Sequence, residues 1–195
     1  GFQKVFEIGS IFRNEGIDQE HLQDYLQMEF YWAYADYEDL MDFVEKYYRF
    51  IVKETFGSTT TKHGKYELDW GKDWQKVDYS DAFKQETGLD LTKNPKIADL
   101  YQLAQKVGTK PAKNLGLGRL IDLIYKKTVR PKLVQPSLLI NHPVSVSPLA
   151  KRDDENPNIV QRVQVLAAGT EVGNGWSELN DPQDQKERFD EQQKL

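Results

Sequence analysis

Two stretches near the start of the chain, residues 5–15 and 25–33, alternate apolar and polar positions with the two-residue period of a β-strand. The even-numbered positions supply an apolar face made mainly of Phe6, Ile8, Phe12, Leu26, Met28, Phe30 and Trp32. The odd-numbered positions supply a polar face that carries Glu7, Arg13, Glu15, Tyr25, Gln27, Glu29 and Tyr31. We therefore predict two adjacent strands with a buried apolar face. The arginine, glutamate and tyrosine side chains of the polar face suit a ligand that has both an anion and a cation.

Helical and strand patterns follow one another in the rest of the chain. Asp36 is suited to cap a helix that runs to Phe56 and ends at Gly57. The apolar spacing over about residues 80–130 predicts a helical insertion, in which Asn94-Pro95 begins a helix with proline at the first helical position. Its helices are expected at residues 80–88, 94–108 and 117–127. Strands are expected at residues 66–70, 75–77, 137–141 and 160–168, a loop or hairpin tip at 58–65, and a closing helix from Asp181-Pro182.

Composition limits the class of protein. The 195 residues are enough for one domain with a substantial core. No apolar run approaches the roughly 20 residues that span a bilayer, and no signal-peptide pattern opens the chain, so we expect no membrane partner. The absence of cysteine excludes disulfides and cysteine zinc sites, which suits a cytoplasmic protein. The net charge of −5 comes without a basic stripe, and the basic cluster at residues 126–132 is interpreted as a solvated helix end.

Three ordered segments carry a family resemblance. FRNEG at residues 12–16, a histidine at 21 and MEFY at 28–31 resemble motif 2 of class II aminoacyl-tRNA synthetases. NHPVSVSPLAKR at residues 141–152 and GNGWSELNDP at 173–182 are similar to the HPxxxSPLAKR and GNGFSELNDP segments of the lysyl enzyme. The aspartyl and asparaginyl enzymes share the motif 2 core but differ at both later segments. The chain is identified as a member of the class II lysyl-tRNA synthetases.

The resemblance implies a fold and a position within a larger enzyme. The expected fold is α+β, a mainly antiparallel sheet flanked by helices and incomplete at both ends. Residues 1–195 would be part of the catalytic domain. Motif 1, which forms the homodimer interface, and the anticodon-binding domain would lie upstream, and motif 3 would lie downstream. We expect the chain alone to be inactive.

The reaction that the resemblance implies is activation of L-lysine by ATP to lysyl-adenylate, followed by transfer to tRNA(Lys). Adenylation requires an in-line approach of the carboxylate and neutralisation of charge on the phosphate. Arg13 corresponds to the motif 2 arginine that bridges the α-phosphate and the amino-acid carboxylate, a role that suits the planar guanidinium. Without the motif, a salt bridge from Arg13 to Glu7 or Glu15 would remain an alternative.

The resemblance also assigns residues to ATP. Glu15 matches the residue that contacts the adenine amino group, and His21 matches the loop residue near the β- and γ-phosphates. Tyr25 stands where the family usually has a phenylalanine stacked on adenine, and its ring keeps a π-face for stacking. The other histidines are interpreted differently: His63 as a loop residue and His142 as part of strand-end packing.

A second group of residues corresponds to the lysine site. Glu29 and Glu178 match the carboxylates that meet the substrate ammonium, and Tyr31 matches a nearby hydroxyl. Asn174 matches a contact to the substrate carboxylate, and Trp176 stands where the family has Phe or Tyr along the aliphatic stem. A buried ammonium requires a counter-charge. Without the motif, Glu178 would be interpreted as a capping or surface residue.

The resemblance departs from the family pattern at the metal. Two glutamates on neighbouring strands hold Mg²⁺ against ATP in the family. Glu171 matches one of them, but the other position is Gln164, whose neutral amide lacks the charge that helps bind a hard cation. Either metal binding is weaker here, or the phosphates carry the ion with Glu171 alone.

Three interpretations remain open from the sequence. The first is an internal fragment of a lysine–tRNA ligase. The second is a synthetase-like paralogue that modifies a protein or a small molecule without reading tRNA. The third is a non-catalytic nucleotide-binding module. Binding of lysine as well as ATP would distinguish the first interpretation from the third.

Overall fold

The computed structural model describes residues 1–14, 16 and 21–192, with the side chain of the last residue excluded. These residues divide into two compact units whose boundary lies between Ala35 and Asp36. Across the part of the chain that is described, no helix is both long enough and apolar enough to span a membrane.

The first unit is an antiparallel hairpin of β1 (Lys4–Phe12) and β2 (Asp24–Trp32). Ile8 lies opposite Met28, and Glu7 lies opposite Glu29. Residues directly opposite in an antiparallel pair have side chains on the same face. The predicted division into an apolar face and a polar face is therefore confirmed.

The prediction that the apolar face of the hairpin is buried is wrong. Phe6 and Leu26 are each 74% exposed, and Ile8 and Phe12 are also exposed. The physical reason is that the described residues of the first unit form a single two-stranded layer. Alternation specifies which side chains share a face, but burial requires a second layer to cover that face.

The second unit begins with α1 and ends with α5. Its helices and strands are α1 (Tyr37–Phe56), β3 (Thr60–His63), β4 (Tyr66–Asp69), β5 (Gln75–Asp78), α2 (Tyr79–Thr87), α3 (Ile97–Lys106), α4 (Leu117–Thr128), β6 (Ser137–Ile140), β7 (His142–Pro143), β8 (Ile159–Val160), β9 (Arg162–Ala167), β10 (Thr170–Trp176) and α5 (Pro182–Gln192). Short 3₁₀ turns lie at Leu91–Lys93, Arg130–Lys132 and Val144–Val146. The α+β class is confirmed.

The central sheet of the second unit has the strand order β10-β9-β6-β5. Strand β9 is antiparallel to both of its neighbours, whereas β5 and β6 are parallel. Parallel neighbours require a crossover connection. Helices α2, α3 and α4 supply this crossover, which explains why the helical insertion predicted at about residues 80–130 lies between two strands.

The ends of two helices show where local sequence signals predicted the structure and where they did not. Asp36 caps α1 through hydrogen bonds from the backbone N–H groups of Glu38 and Asp39, and Gly57 ends the helix at φ 69°. The predicted start at Asn94-Pro95 is wrong, because α3 begins at Ile97. Asn94 instead has a left-handed backbone (φ 49°) and ends the preceding 3₁₀ turn.

Strand β9 is buried on both faces. Leu166 joins the core that α2, α3 and α4 form on one side, and Val163 and Val165 join the core beneath α1 on the other. Such a strand is expected to be continuously apolar. The strand departs from this pattern at its first residue, Arg162, and at Gln164. Gln164 is buried in the middle of the strand, so its amide must be hydrogen-bonded.

We predict that Gly118→Ala destabilises the protein. Gly118 lies in the first turn of α4, and an added Cβ would overlap the backbone carbonyl oxygen of Ser145. At an open helix position the same change would stabilise by about 1 kcal/mol. Here the overlap with a backbone atom should lower the free energy of unfolding by about 1–3 kcal/mol, measured by urea denaturation.

The control for this test is Arg119→Ala, an exposed change in the same turn of α4, which should leave stability within about 0.5 kcal/mol. An increase in stability for Gly118→Ala would contradict the close approach of α4 to the 3₁₀ turn at Val144–Val146.

Candidate active site

The polar face of the hairpin brings together the arginine and an aromatic ring. Arg13 directly follows β1, and its backbone N–H donates to the carbonyl of Gln23 at 2.9 Å. Its guanidinium carbon lies 5.9 Å from the ring centroid of Tyr25, within the range of a cation–π contact. Of the other predicted ATP contacts, His21 is exposed just before β2, and Glu15 lies outside the described residues.

Glu29 is oriented by its neighbours on the same face of β2. The hydroxyl of Tyr31 donates to Glu29 Oε1 at 2.7 Å, and the amide of Gln27 donates to Oε2 at 3.2 Å. Both oxygens of the carboxylate are thereby engaged before any ligand arrives. Glu7 lies directly opposite in the ladder, so two negative charges face each other across the hairpin. Like charges in this position repel, and a cation would relieve the repulsion.

In the second unit a β-bulge sets the face of β10 that carries polar side chains. Glu171 lies opposite Leu166 and Gly173 lies opposite Val165, so Val172 is the extra residue of the bulge. A spacing of three would place Glu171 and Asn174 on opposite faces of a regular strand. The bulge reverses the alternation and brings both onto the face that also carries Trp176.

Helix α1 covers the other face of β10. An added Cβ at Gly175 would overlap the side chain of Leu40, and one at Gly173 would lie 2.9 Å from the hydroxyl of Tyr48. That hydroxyl donates to the carbonyl of Val172 in the bulge. The two glycines of GNGW therefore permit the close approach of α1 that supports the polar face from behind.

Side chains of β9 orient side chains of β10. Gln164 Nε2 donates to Glu171 Oε2 at 2.6 Å, and Arg162 Nε donates to Asn174 Oδ1 at 3.0 Å. Sequence reasoning did not single out Arg162. The available signal was its spacing of two from Gln164, which places both side chains on the same face of β9.

The amide of Gln164 also binds a buried histidine. Gln164 Oε1 lies 3.1 Å from His142 Nε2, and His142 is fully buried in β7. Burial lowers the pKa of His142 to about 3, and the nearby positive charge of Arg162 acts in the same direction. The imidazole is therefore neutral near pH 7. Because the Gln164 amide donates to Glu171, its oxygen faces the histidine, which requires the proton on Nε2.

Charges from three elements act on Glu171. The residue keeps exposed surface, but neighbouring atoms desolvate its carboxyl group, and this burial raises its pKa. The positive charges of Arg162, Lys126 and Arg130 oppose that effect. The basic end of α4, which the sequence suggested to be only a solvated surface, thus contributes to the electrostatic field around Glu171.

The donor set at positions 164 and 171 does not fit a magnesium ion held between them. The amide oxygen of Gln164 faces His142, and its N–H group occupies Glu171 Oε2. Within residues 1–14, 16 and 21–192, no three His, Cys, Asp or Glu side chains come together as a metal site. Of these two positions, only Glu171 supplies a charged oxygen.

Trp176 and Glu178 form a pair. The indole Nε1–H of Trp176 donates to Glu178 Oε2 at 3.0 Å, a bond that Phe, which has no side-chain donor, could not make. The backbone of Glu178 forms an isolated antiparallel β-bridge with the backbone of Ala150. Next to it, the backbone N–H of Lys151 donates to the carbonyl of Ser177 at 2.9 Å. The SPLAKR and SELNDP segments are therefore joined.

A buried arginine of α5 holds the SPLAKR segment in place. Arg188 is only 4% exposed and donates to the carbonyls of Ala150 at 2.7 Å and Pro148 at 3.1 Å. Asp184 accepts from Arg188 and from Arg152. Sequence reasoning missed Arg188, although its helical spacing of four from Asp184 was visible.

The sequence of the chain is similar to those of known proteins along its whole length. The family model described as tRNA synthetases class II (D, K and N) matches residues 1–195. A lysine–tRNA ligase of Roseiflexus sp. (strain RS-1) is 43% identical over 192 residues. Lysine–tRNA ligases of Haemophilus influenzae (strain PittGG) and Actinobacillus pleuropneumoniae serotype 5b (strain L20) are 41% and 39% identical. In each comparison the matched region is 98% of this chain and 39% of the relative.

We predict that Asp184→Asn lowers stability at neutral pH. Hydrogen bonds from Arg188, followed by those from Arg152, lower the pKa of Asp184 to about 2, against an ordinary value of 3.8. A depressed pKa stabilises the fold above about pH 4, and this stabilisation is lost as the pH falls toward 2. The variant should lose about 2 kcal/mol at pH 7, and the difference from wild type should shrink as the pH falls from 4 to 2.

The measurement is urea denaturation at pH 7, 4 and 2.5. Asp190→Asn, which removes an exposed partner of Lys186 in the same helix, is the control and should cost less than about 1 kcal/mol. A pH-independent difference for Asp184→Asn would show that the ionised carboxylate is not what holds Arg188.

Proposed function

The chain belongs to the class II tRNA synthetases of the D, K and N group, and on that premise we propose that it is part of a ligase that activates L-lysine with ATP and transfers it to tRNA(Lys). The observation that carries the choice of lysine is the arrangement of Glu29. Its carboxylate is held by Tyr31 and Gln27, and Glu7 faces it across the ladder. Two facing carboxylates favour an amino acid with a cationic side chain over aspartate or asparagine.

The proposal assigns the chemistry mainly to Arg13. Its guanidinium would hold the α-phosphate of ATP and the lysine carboxylate in line and neutralise the charge that grows during attack. Tyr25, in cation–π range of Arg13, would stack on adenine. Glu15 and His21 would contact the adenine amino group and the outer phosphates, respectively.

Five residues are assigned to lysine. By their match to the family motifs, Glu29 and Tyr31 would receive the ammonium group, with Glu178 as a further carboxylate. By the same match, Trp176 would pack along the aliphatic stem, and Asn174 would donate to the substrate carboxylate. The indole–carboxylate bond of Trp176 and Glu178 supports this assignment, because it leaves Glu178 Oε1 for a ligand.

Mg²⁺ enters the proposal as part of the Mg–ATP substrate. Since Gln164 is committed to His142 and Glu171, the ATP phosphates would hold the ion, with Glu171 as the single protein carboxylate. The homodimer and the cytoplasmic location that the family resemblance implies belong to the same proposal.

Isothermal titration calorimetry with L-lysine and with ATP tests the proposal in the protein expressed from its complete coding sequence. Both ligands should bind. Glu29→Gln should weaken lysine binding by roughly ten- to hundredfold, because it removes a charged hydrogen-bond acceptor, and should leave ATP binding unchanged.

Glu67→Gln on β4 is the matched control, since Glu67 is an exposed strand glutamate outside the proposed site. ATP binding without lysine binding would overturn the assignment and favour a nucleotide-binding module instead.

Gln164→Glu tests the metal part of the proposal. In the protein expressed from its complete coding sequence, a second carboxylate beside Glu171 should lower the Mg²⁺ concentration for half-maximal lysine-dependent pyrophosphate exchange several-fold. Gln161→Glu adds the same charge just before β9 and serves as the control. An unchanged Mg²⁺ titration for Gln164→Glu would argue against any effect of position 164 on the ion.

A further inference from the structure

Arg162 links the SPLAKR segment to strand β10 through side-chain hydrogen bonds. Its Nε donates to Asn174 Oδ1 at 3.0 Å, and a terminal N–H donates to Ser147 Oγ at 2.6 Å. Ser147 belongs to the SPLAKR segment and is only 4% exposed, so it is a fixed anchor. Asn174 is exposed, so its amide is the end of this chain of bonds that a ligand can reach.

The bond to Arg162 decides which end of the Asn174 amide faces a ligand. An asparagine amide presents an acceptor oxygen at one end and two N–H donors at the other. A guanidinium has donors only, so the oxygen must face Arg162. The amide nitrogen then points away from Arg162, and Asn174 presents donors alone. Donors suit a carboxylate and do not suit an ammonium group.

The charge of Arg162 favours the same ligand. The two side chains that accept hydrogen bonds from Arg162, Asn174 and Ser147, are both neutral. The carboxylates of Glu171 and Asp122 act on the guanidinium through their charge. Burial lowers the pKa of Arg162, but a guanidinium stays protonated at neutral pH. An anion beside Asn174 would therefore also be attracted by this positive charge.

We propose that Arg162 is a positioning residue that holds the amide of Asn174 with its N–H group outward and thereby makes Asn174 a carboxylate donor. The inference rests on the proposed function, in which Asn174 meets the carboxylate of the amino-acid substrate. It adds Arg162, a residue of β9 that affects substrate binding only through its hydrogen bond to Asn174.

The experiment compares L-lysine with L-lysinamide, which keeps both amino groups and lacks the carboxylate. Affinities are measured by calorimetry in the protein expressed from its complete coding sequence. Arg162→Lys keeps the charge and loses the planar fork, so it should weaken lysine binding about tenfold and leave lysinamide binding unchanged. In an Asn174→Ala background, Arg162→Lys should add no further loss.

Arg119→Lys, an exposed arginine of α4, is the matched control and should change neither affinity. Equal weakening of both ligands by Arg162→Lys would show that Arg162 only maintains the fold and would overturn the inference, as would no weakening at all. Failure of the wild-type protein to bind lysine would instead remove the proposed function on which the inference stands.

Ser147→Ala provides a second variant should Arg162→Lys not fold, with folding checked by circular dichroism. It removes the anchor of Arg162 and leaves Asn174 intact. The selectivity for lysine over lysinamide should fall by a smaller factor in the same direction, and an unchanged selectivity would overturn the inference.

Discussion

The hydrogen bond from Gln164 to Glu171 is the interaction on which the polar face of the second unit depends. Gln164 is buried in a strand whose neighbours pack into cores on both sides, so an unpaired amide there would be costly. Its pairing with neutral His142 on one side and Glu171 on the other satisfies both ends of the amide. The same bonds determine the direction of the amide, the tautomer of the histidine and the direction of the carboxylate. A neutral side chain thus occupies a place where the family resemblance implies a second metal-binding carboxylate.

Preorganisation by nearby strand residues recurs in both units. Glu29 is held by residues two positions away on the same face of β2, and Glu178 is held by the indole of Trp176. Asn174 is held across the ladder by Arg162. A polar group that is oriented before the ligand arrives loses less entropy on binding, and its charge already points toward the position of the ligand. In the proposed ligase, this orientation would separate recognition of the ammonium end of lysine from recognition of its carboxylate end.

Local signals predicted those parts of the fold that depend on neighbours in sequence. The cap at Asp36 and the left-handed Gly57 were predictable, because a capping carboxylate and a glycine terminator act within one helical turn. Asn94 misled the prediction, because asparagine both caps helices and adopts a left-handed backbone, and nothing local decides between the two. The burial of the hairpin face was predicted wrongly, since alternation carries no information about whether a second layer covers it.

The sequence by itself determined which hairpin residues share a face, the two ends of α1 and the family, because period, caps and motifs are local or ordered along the chain. Only the tertiary structure decided which functional side chains of the second unit share a face. The bulge at Val172, the pairing of Gln164 with His142 and the contact of Arg188 with Ala150 join residues far apart in sequence or break a regular period. Such contacts arise from packing between elements, and no local pattern specifies them.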